Sequence, residues 1–157
     1  MELTPDRKKK FDEVLGRYPV KRSAILPLLH LLQEQEGWLS TEALEYAASL
    51  LGLSPAQVHD AATYYTMYRF KPEGRHHLEF CTNLSCALSG AQQVVEAFEQ
   101  ELGVAPGETT DDGSITLRTV ECLGGCGYAT VVAVDNRYRE HVSPEDVPAI
   151  VEGVRGA

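Results

Sequence analysis

Four cysteines are the residues of this chain best suited to hold a metal or pass an electron. Cys81 and Cys86 stand in C-x4-C spacing, Cys122 and Cys126 in C-x3-C spacing, with 35 residues between the pairs. The N-terminus, MELTPDRKKKF, has no apolar stretch of the kind that opens a secretory leader, so a reducing cytosol is the expected setting. There, two close cysteine pairs point to metal or redox chemistry rather than to a disulfide framework. Structural zinc usually takes C-x2-C knuckles, and neither pair has that spacing. A thioredoxin-type dithiol also needs C-x2-C. A [2Fe–2S] cluster needs four thiolates spread round a larger, flatter body, which wider loops suit. Spacing therefore favours an iron–sulfur centre and leaves two alternatives open, a zinc site and four buried structural cysteines.

These thiols must be positioned by the elements around them. His77–Cys81 predicts a short strand. Leu88, Ala91, Val94, Val95, Phe98 and Leu102 mark a helix that Gly103 ends. Ile115–Val120 alternates apolar and polar residues as a strand does, and Ala129–Val134 predicts another. Asp135-Asn136 is a turn signal from which Tyr138–Val142 can return antiparallel, and Ser143-Pro144 opens a last helix. This order is that of the thioredoxin fold. A right-handed strand–helix–strand unit makes its two strands parallel, so Cys81 and Cys122 fall at one edge. Cys86 precedes the helix, where the positive end of the dipole is expected to favour its thiolate. Cys126 closes the loop Leu123-Gly124-Gly125, whose glycines let backbone approach a bulky group. Glycine amides and a helix start also supply the N–H dipoles that an anionic cluster needs.

The first half of the chain predicts four helices. Thr4-Pro5 opens the first, with Phe11, Val14, Leu15 and Tyr18 at helical spacing. Ser23 can cap the second, which carries Ile25, Leu28, Leu29 and Leu32. Ser40 starts the third and Gly52 stops it. Ser54-Pro55-Ala56-Gln57 is a capping box before Val58, Ala61, Ala62 and Tyr65. The expected class is α+β: a helical bundle at 1–68, a linker at 69–75 and a thioredoxin-like domain at 76–157. Charge divides the same way. Residues 1–75 hold 10 Lys/Arg against 10 Asp/Glu, and residues 76–157 hold 4 Arg against 13 Asp/Glu, giving a net charge of −9 for the 157 residues. That balance argues against nucleic acid as a partner, and no apolar run is long enough for membrane insertion.

The other chemistry-bearing residues carry weaker signals. With four thiols available, none of His30, His59, His76, His77 and His141 is needed as a ligand. Tyr65 follows an apolar helix face and reads as core, as does Trp38. Tyr68 and Phe70 divide between core and partner contact. Lys8, Lys9 and Lys10 read as a solvated face. Gly124-Gly125 lies between two cysteines rather than between a strand and a helix, so it is no dinucleotide fingerprint. The helical half carries no candidate ligand and reads as a docking element.

The stretch Ala61–Gly90, AATYYTMYRFKPEGRHHLEFCTNLSCALSG, with ECLGGC at Glu121–Cys126 and EGWLS at Glu36–Ser40, resembles the [2Fe–2S] small subunit of respiratory complex I, the NADH-quinone oxidoreductase, known in bacteria as its E-type component. Both cysteine spacings match. The resemblance implies that Cys81, Cys86, Cys122 and Cys126 are the four cluster ligands. It also implies single-electron exchange with the FMN of a partner, the F-type NADH-oxidising flavoprotein, with NADH and FMN bound only there. The setting would be cytoplasmic, peripheral to the inner membrane. Small diaphorase subunits of NAD-reducing hydrogenases and NAD-dependent formate dehydrogenases are the alternatives within the family; a zinc-stabilised interaction module is the alternative outside it. One departure stands out: the family usually has Ala-Pro after the fourth cysteine, where this chain has Ala129-Thr130. Threonine brings an N–H and a hydroxyl that could donate to sulfur, or it could simply begin a strand.

Overall fold

Proline or a serine cap opens three of the first four helices. In the computed structural model, which describes residues 2–156, α1 runs Pro5–Leu15, α2 Ile25–Glu36, α3 Thr41–Leu51 and α4 Pro55–Tyr64. Ser40 accepts from the Ala43 N–H at 3.2 Å. Ser54 and Gln57 form the reciprocal capping box. Gly52 ends α3 at φ +67°, a left-handed conformation that costs glycine little. These helices belong to a compact unit, Met1–Pro72. Its core holds Phe11, Leu28, Leu29, Leu32, Leu39, Ala47 and Val58. Lys8 pairs with Asp12 one turn on along α1.

Expectations for this unit change at Ser23, Tyr18 and Tyr65. Ser23 does not cap α2; it lies in a 3-10 turn, Lys21–Ala24, that leads into the helix. Tyr18 falls outside α1, which gives way at Gly16, and the residue before Pro19 disfavours helix. Tyr65 is 38% exposed rather than core. Helix α4 ends at Tyr64 and Tyr65 turns extended, so the helical period no longer aims it inward. Tyr68 is 4% exposed. Its hydroxyl donates to the Leu26 carbonyl at 3.0 Å, and burial pushes its phenol up to about 12. Trp38 is half-buried and Phe70 exposed.

The second unit, Glu73–Ala157, is built on a sheet. Strand β1 is His76–Cys81, followed by α5 Leu84–Leu88 and α6 Ala91–Leu102. Strands β2 Ile115–Val120, β3 Val132–Val134 and β4 Arg137–Arg139 follow, then α7 Val147–Arg155. The sheet order is β2-β1-β3-β4. β1 and β2 pair in parallel, from His76 opposite Ile115 to Cys81 opposite Val120. β3 runs antiparallel to β1, and β4 antiparallel to β3. Asp135 and Asn136 join these last two at φ 48° and 64°, the paired left-handed conformation of a tight hairpin. Leu78, Phe80, Ile115 and Leu117 of the sheet pack with Val94, Val95 and Phe98 of α6 and with Val147 and Val151 of α7. The Phe80 and Phe98 rings lie 5.0 Å apart.

This unit departs from expectation in its details. The helix predicted from Leu88 is two helices, broken by Gly90 at φ +95°, and Leu88 is 81% exposed. β3 starts at Val132, not Ala129, and β4 ends at Arg139, not Val142. His141 adopts φ 53°, which ends strand geometry there. Its N–H donates to the Tyr128 carbonyl outside the ladder, at 3.0 Å. Among the described residues, no helix is long and apolar enough to cross a membrane.

Phe98 is fully buried against Phe80. Phe98→Ala is expected to lower the stability of the second unit by about 3–5 kcal/mol, the usual range for a buried Phe reduced to Ala. Urea unfolding followed by circular dichroism checks this.

Candidate metal centre

The parallel register carries the first pair of chain segments to one edge. With Cys81 opposite Val120, Cys122 lies two residues past the end of β2. The Thr82 N–H extends the ladder to the Val120 carbonyl at 3.0 Å. Beyond it the chain turns into α5, whose N-cap Asn83 accepts from the Leu84 N–H at 2.9 Å. This turn carries Cys86 inward. Cys81 and Cys86 are 3% and 2% exposed, in a small apolar cluster with Ala91 and Val131 against which Leu123 and Ala129 pack. Cys122 and Cys126 are exposed. All four thiols are free, and the two buried ones share one cluster. Helix α5, which carries Cys86, packs against the 3-10 turn Cys126–Tyr128 that opens with the fourth thiol.

The two buried thiols are electrostatically unlike. Burial pushes the Cys81 thiol up, but the amides of Leu123 and Asn83 and the neighbouring thiols outweigh it, and the net shift is down. Burial pushes the Cys86 thiol up; the Val131 amide opposes this, while Cys81 and Cys126 reinforce it, and the net shift is up. The expectation that a helix start lowers Cys86 is therefore corrected. Cys86 lies within the five-residue α5 rather than ahead of a long helix, and burial is the largest influence on its thiol.

The second cysteine loop is held by backbone. Gly124 sits at φ +77°, and its N–H donates to Cys122 Sγ at 3.2 Å. Gly125 faces Val131 so closely that a Cβ there would lie 2.9 Å from Val131 Cγ2. Val131 also accepts from the Cys81 N–H at 3.2 Å, so one residue braces both loops. Tyr138, on β4, donates its hydroxyl to the Leu123 carbonyl at 2.6 Å. Sequence reasoning picks out the glycines but misses Asn83, Leu123, Val131 and Tyr138. The first three contribute main-chain groups, which leave no residue-type signal.

Thr130 is buried, and its hydroxyl donates to the Val142 carbonyl, while the Val142 N–H returns a bond to the Thr130 carbonyl at 3.1 Å. The hydroxyl is thus engaged away from sulfur. Nor does Thr130 begin a strand, since β3 starts two residues later. His141 Nδ1 lies 3.3 Å from the Ala129 carbonyl, and His76 Nδ1 lies 2.8 Å from Asp135 Oδ2.

Among the described residues, no three His, Cys, Asp or Glu side chains close round a single ion. Four free thiols, with the Gly124 N–H on Cys122 and the amides of Asn83, Leu123 and Val131 beside the buried pair, suit an anionic body. Such N–H donors stabilise negative charge shared between thiolates and a sulfur-rich cluster. The donor set fits a [2Fe–2S] group.

A thioredoxin-like α/β unit with a cysteine-lined sheet edge defines the class of protein. A sequence profile of the thioredoxin-like [2Fe-2S] ferredoxin family matches residues 11–155, and the chain belongs to that family. It is 41% identical over 143 residues to the E-type component of the NADH-quinone oxidoreductase of Mycobacterium tuberculosis, covering 91% of this chain and 57% of that protein. It thus spans little more than half the length of its mycobacterial relatives. NADH-quinone oxidoreductase subunit 2 of Thermus thermophilus is 39% identical over 158 residues, with 99% of this chain and 87% of that protein covered. A chain of an NAD+-reducing [NiFe]-hydrogenase shares the fold, with a TM-score of 0.71 at 19% identity over 82% of this chain and 23% of that one.

Gly125 and Val131 are expected to be energetically coupled. Gly125→Ala overpacks the brace, a change that typically costs about 1–3 kcal/mol. Adding Val131→Ala should return part of that, so the double variant is less destabilised than the two single costs together. Urea unfolding of the four proteins measures the coupling; additive costs would show that the contact is unimportant.

Proposed function

We propose that this chain is the electron-carrying small subunit of an NADH-quinone oxidoreductase, with Cys81, Cys86, Cys122 and Cys126 holding one [2Fe–2S] cluster. When bound, the cluster supplies one-electron acceptance and release. The observation that carries this reading is the placing of four free thiols, two buried and two exposed, on the segments that follow the paired ends of β1 and β2. Cys81 and Cys86, with Val131 and Ala91, keep water from the inner side. Cys122 and Cys126 leave the outer side open to an electron donor. The amides of Leu123, Asn83, Gly124 and Val131 offset the negative charge added on reduction.

The electron would come from the FMN of an F-type partner flavoprotein, which binds and oxidises NADH. The names of the relatives at 39–41% identity support a multi-subunit NADH-quinone oxidoreductase as the setting. The helical unit contributes no thiol, which supports a docking role for it within a larger complex, peripheral on the cytoplasmic side of the inner membrane. A second reading, the small diaphorase subunit of a soluble NAD-reducing hydrogenase or of an NAD-dependent formate dehydrogenase, is favoured by the fold shared with the hydrogenase chain. Mass spectrometry of proteins co-purifying from the native host separates the two.

The electron route is tested by anaerobic mixing. NADH alone should leave the visible iron–sulfur bands of the loaded protein unchanged, and NADH with the partner flavoprotein should bleach them. Bleaching without the flavoprotein, or none with it, would refute the route. Replacing any one of the four cysteines by Ser should remove most of the bound iron and the visible bands, measured by iron and sulfide analysis. Full retention in all four variants would refute the ligand set.

A further inference from the structure

Tyr138 lies on β4, outside both cysteine loops, yet it reaches one of them through a single peptide unit. Its hydroxyl donates to the Leu123 carbonyl at 2.6 Å. That carbonyl and the Gly124 N–H belong to the same peptide group, and the Gly124 N–H donates to Cys122 Sγ at 3.2 Å. The three groups form a relay: phenol to carbonyl, and amide to sulfur across one resonant C–N bond. A hydrogen bond accepted by an amide oxygen withdraws electron density from its nitrogen, making that N–H a stronger donor. The relay also fixes the plane of the Leu123–Gly124 peptide. Gly124, at φ +77°, has the conformational freedom that otherwise lets such a peptide rotate.

From this juxtaposition we infer that Tyr138 is a positioning residue that raises the reduction potential of the cluster by orienting and polarising the Gly124 N–H toward Cys122. The inference rests on the cluster reading above. Reduction adds one electron, and so one negative charge, to a body whose charge is shared with its thiolates. An N–H donor to a thiolate therefore stabilises the reduced state more than the oxidised one. Tyr138 is suited to this by its place in the sheet. It pairs with Ala133 in β3, so a regular strand sets its backbone, while its ring is half-exposed and its hydroxyl is engaged. A Tyr used only for packing gains nothing from that hydroxyl.

The test uses the full chain loaded with iron and sulfide, reduced stepwise with dithionite under redox mediators and followed by visible and electron paramagnetic resonance spectra. Tyr138→Phe removes only the hydroxyl. It should make the one-electron reduction equilibrium less favourable by up to roughly tenfold, or about 59 mV, with iron content and the oxidised spectrum retained. Replacing Tyr138 with 3-fluorotyrosine strengthens the donor and should move the midpoint the opposite way, at a pH where the phenol stays protonated. An unmoved midpoint in a loaded Tyr138→Phe protein overturns the inference and leaves the cluster reading intact. If Tyr138→Phe fails to hold its cluster, the fluorotyrosine protein decides: an upward shift supports the relay, and no shift overturns it. A native chain that takes up no iron and sulfide overturns the cluster reading and this inference with it.

Discussion

The in-register parallel pairing of β1 with β2 is the constraint on which the cysteine edge depends. Neither strand carries both loops. The first cysteine pair follows β1 and the second follows β2, so their separation is set by the ladder between them. With Cys81 opposite Val120, the two loops leave the sheet level with each other. A slip of one residue would turn every side chain of one strand to the other face. Such a slip is opposed by the buried Leu78 and Phe80 of β1 and Ile115 and Leu117 of β2, which share one core with Phe98. The hydrophobic core of the second unit is therefore also the device that measures the distance between thiols.

The edge itself is asymmetric, and the asymmetry has a chemical use. Cys81 and Cys86 face a dry apolar cluster, while Cys122 and Cys126 face outward. Burying thiolates is costly unless N–H donors compensate, and here the donors are main-chain amides from three separate segments: Asn83 after β1, Leu123 and Gly124 after β2, and Val131 before β3. Fixed dipoles of this kind need no side chain to reorganise when charge changes. Val131 ties the arrangement together by accepting from the Cys81 N–H and packing on Gly125. Ligand binding at such loops is coupled to their folding, so under the proposed ligand set this brace would contribute to both.

Much of this is legible in the sequence, for definable reasons. The capping box at Ser54 and Gln57, the left-handed stop at Gly52 and the Asp135-Asn136 hairpin are local rules, and they appear where local rules place them. The strand–helix–strand order implies parallel strands, and so sets Cys81 and Cys122 at one edge. Expectation fails where a period is extended past its element. Tyr65 and Tyr18 are counted onto helices that have already ended, and Leu88 is counted onto a helix that Gly90 breaks. It fails also where backbone does the work. Thr130 invites a reading toward sulfur because hydroxyls donate, but the structure spends that hydroxyl on the Val142 carbonyl. Val131 reads as one more apolar strand residue, and nothing in its side chain announces its amide and carbonyl.

The central claim is that this edge holds a two-iron cluster by sulfur alone. X-ray absorption at the iron edge of the loaded full chain tests it most directly. The account predicts that each iron has only sulfur in its nearest shell and a single second iron beyond it. A nearest shell containing nitrogen or oxygen, or the absence of any iron neighbour, would contradict it.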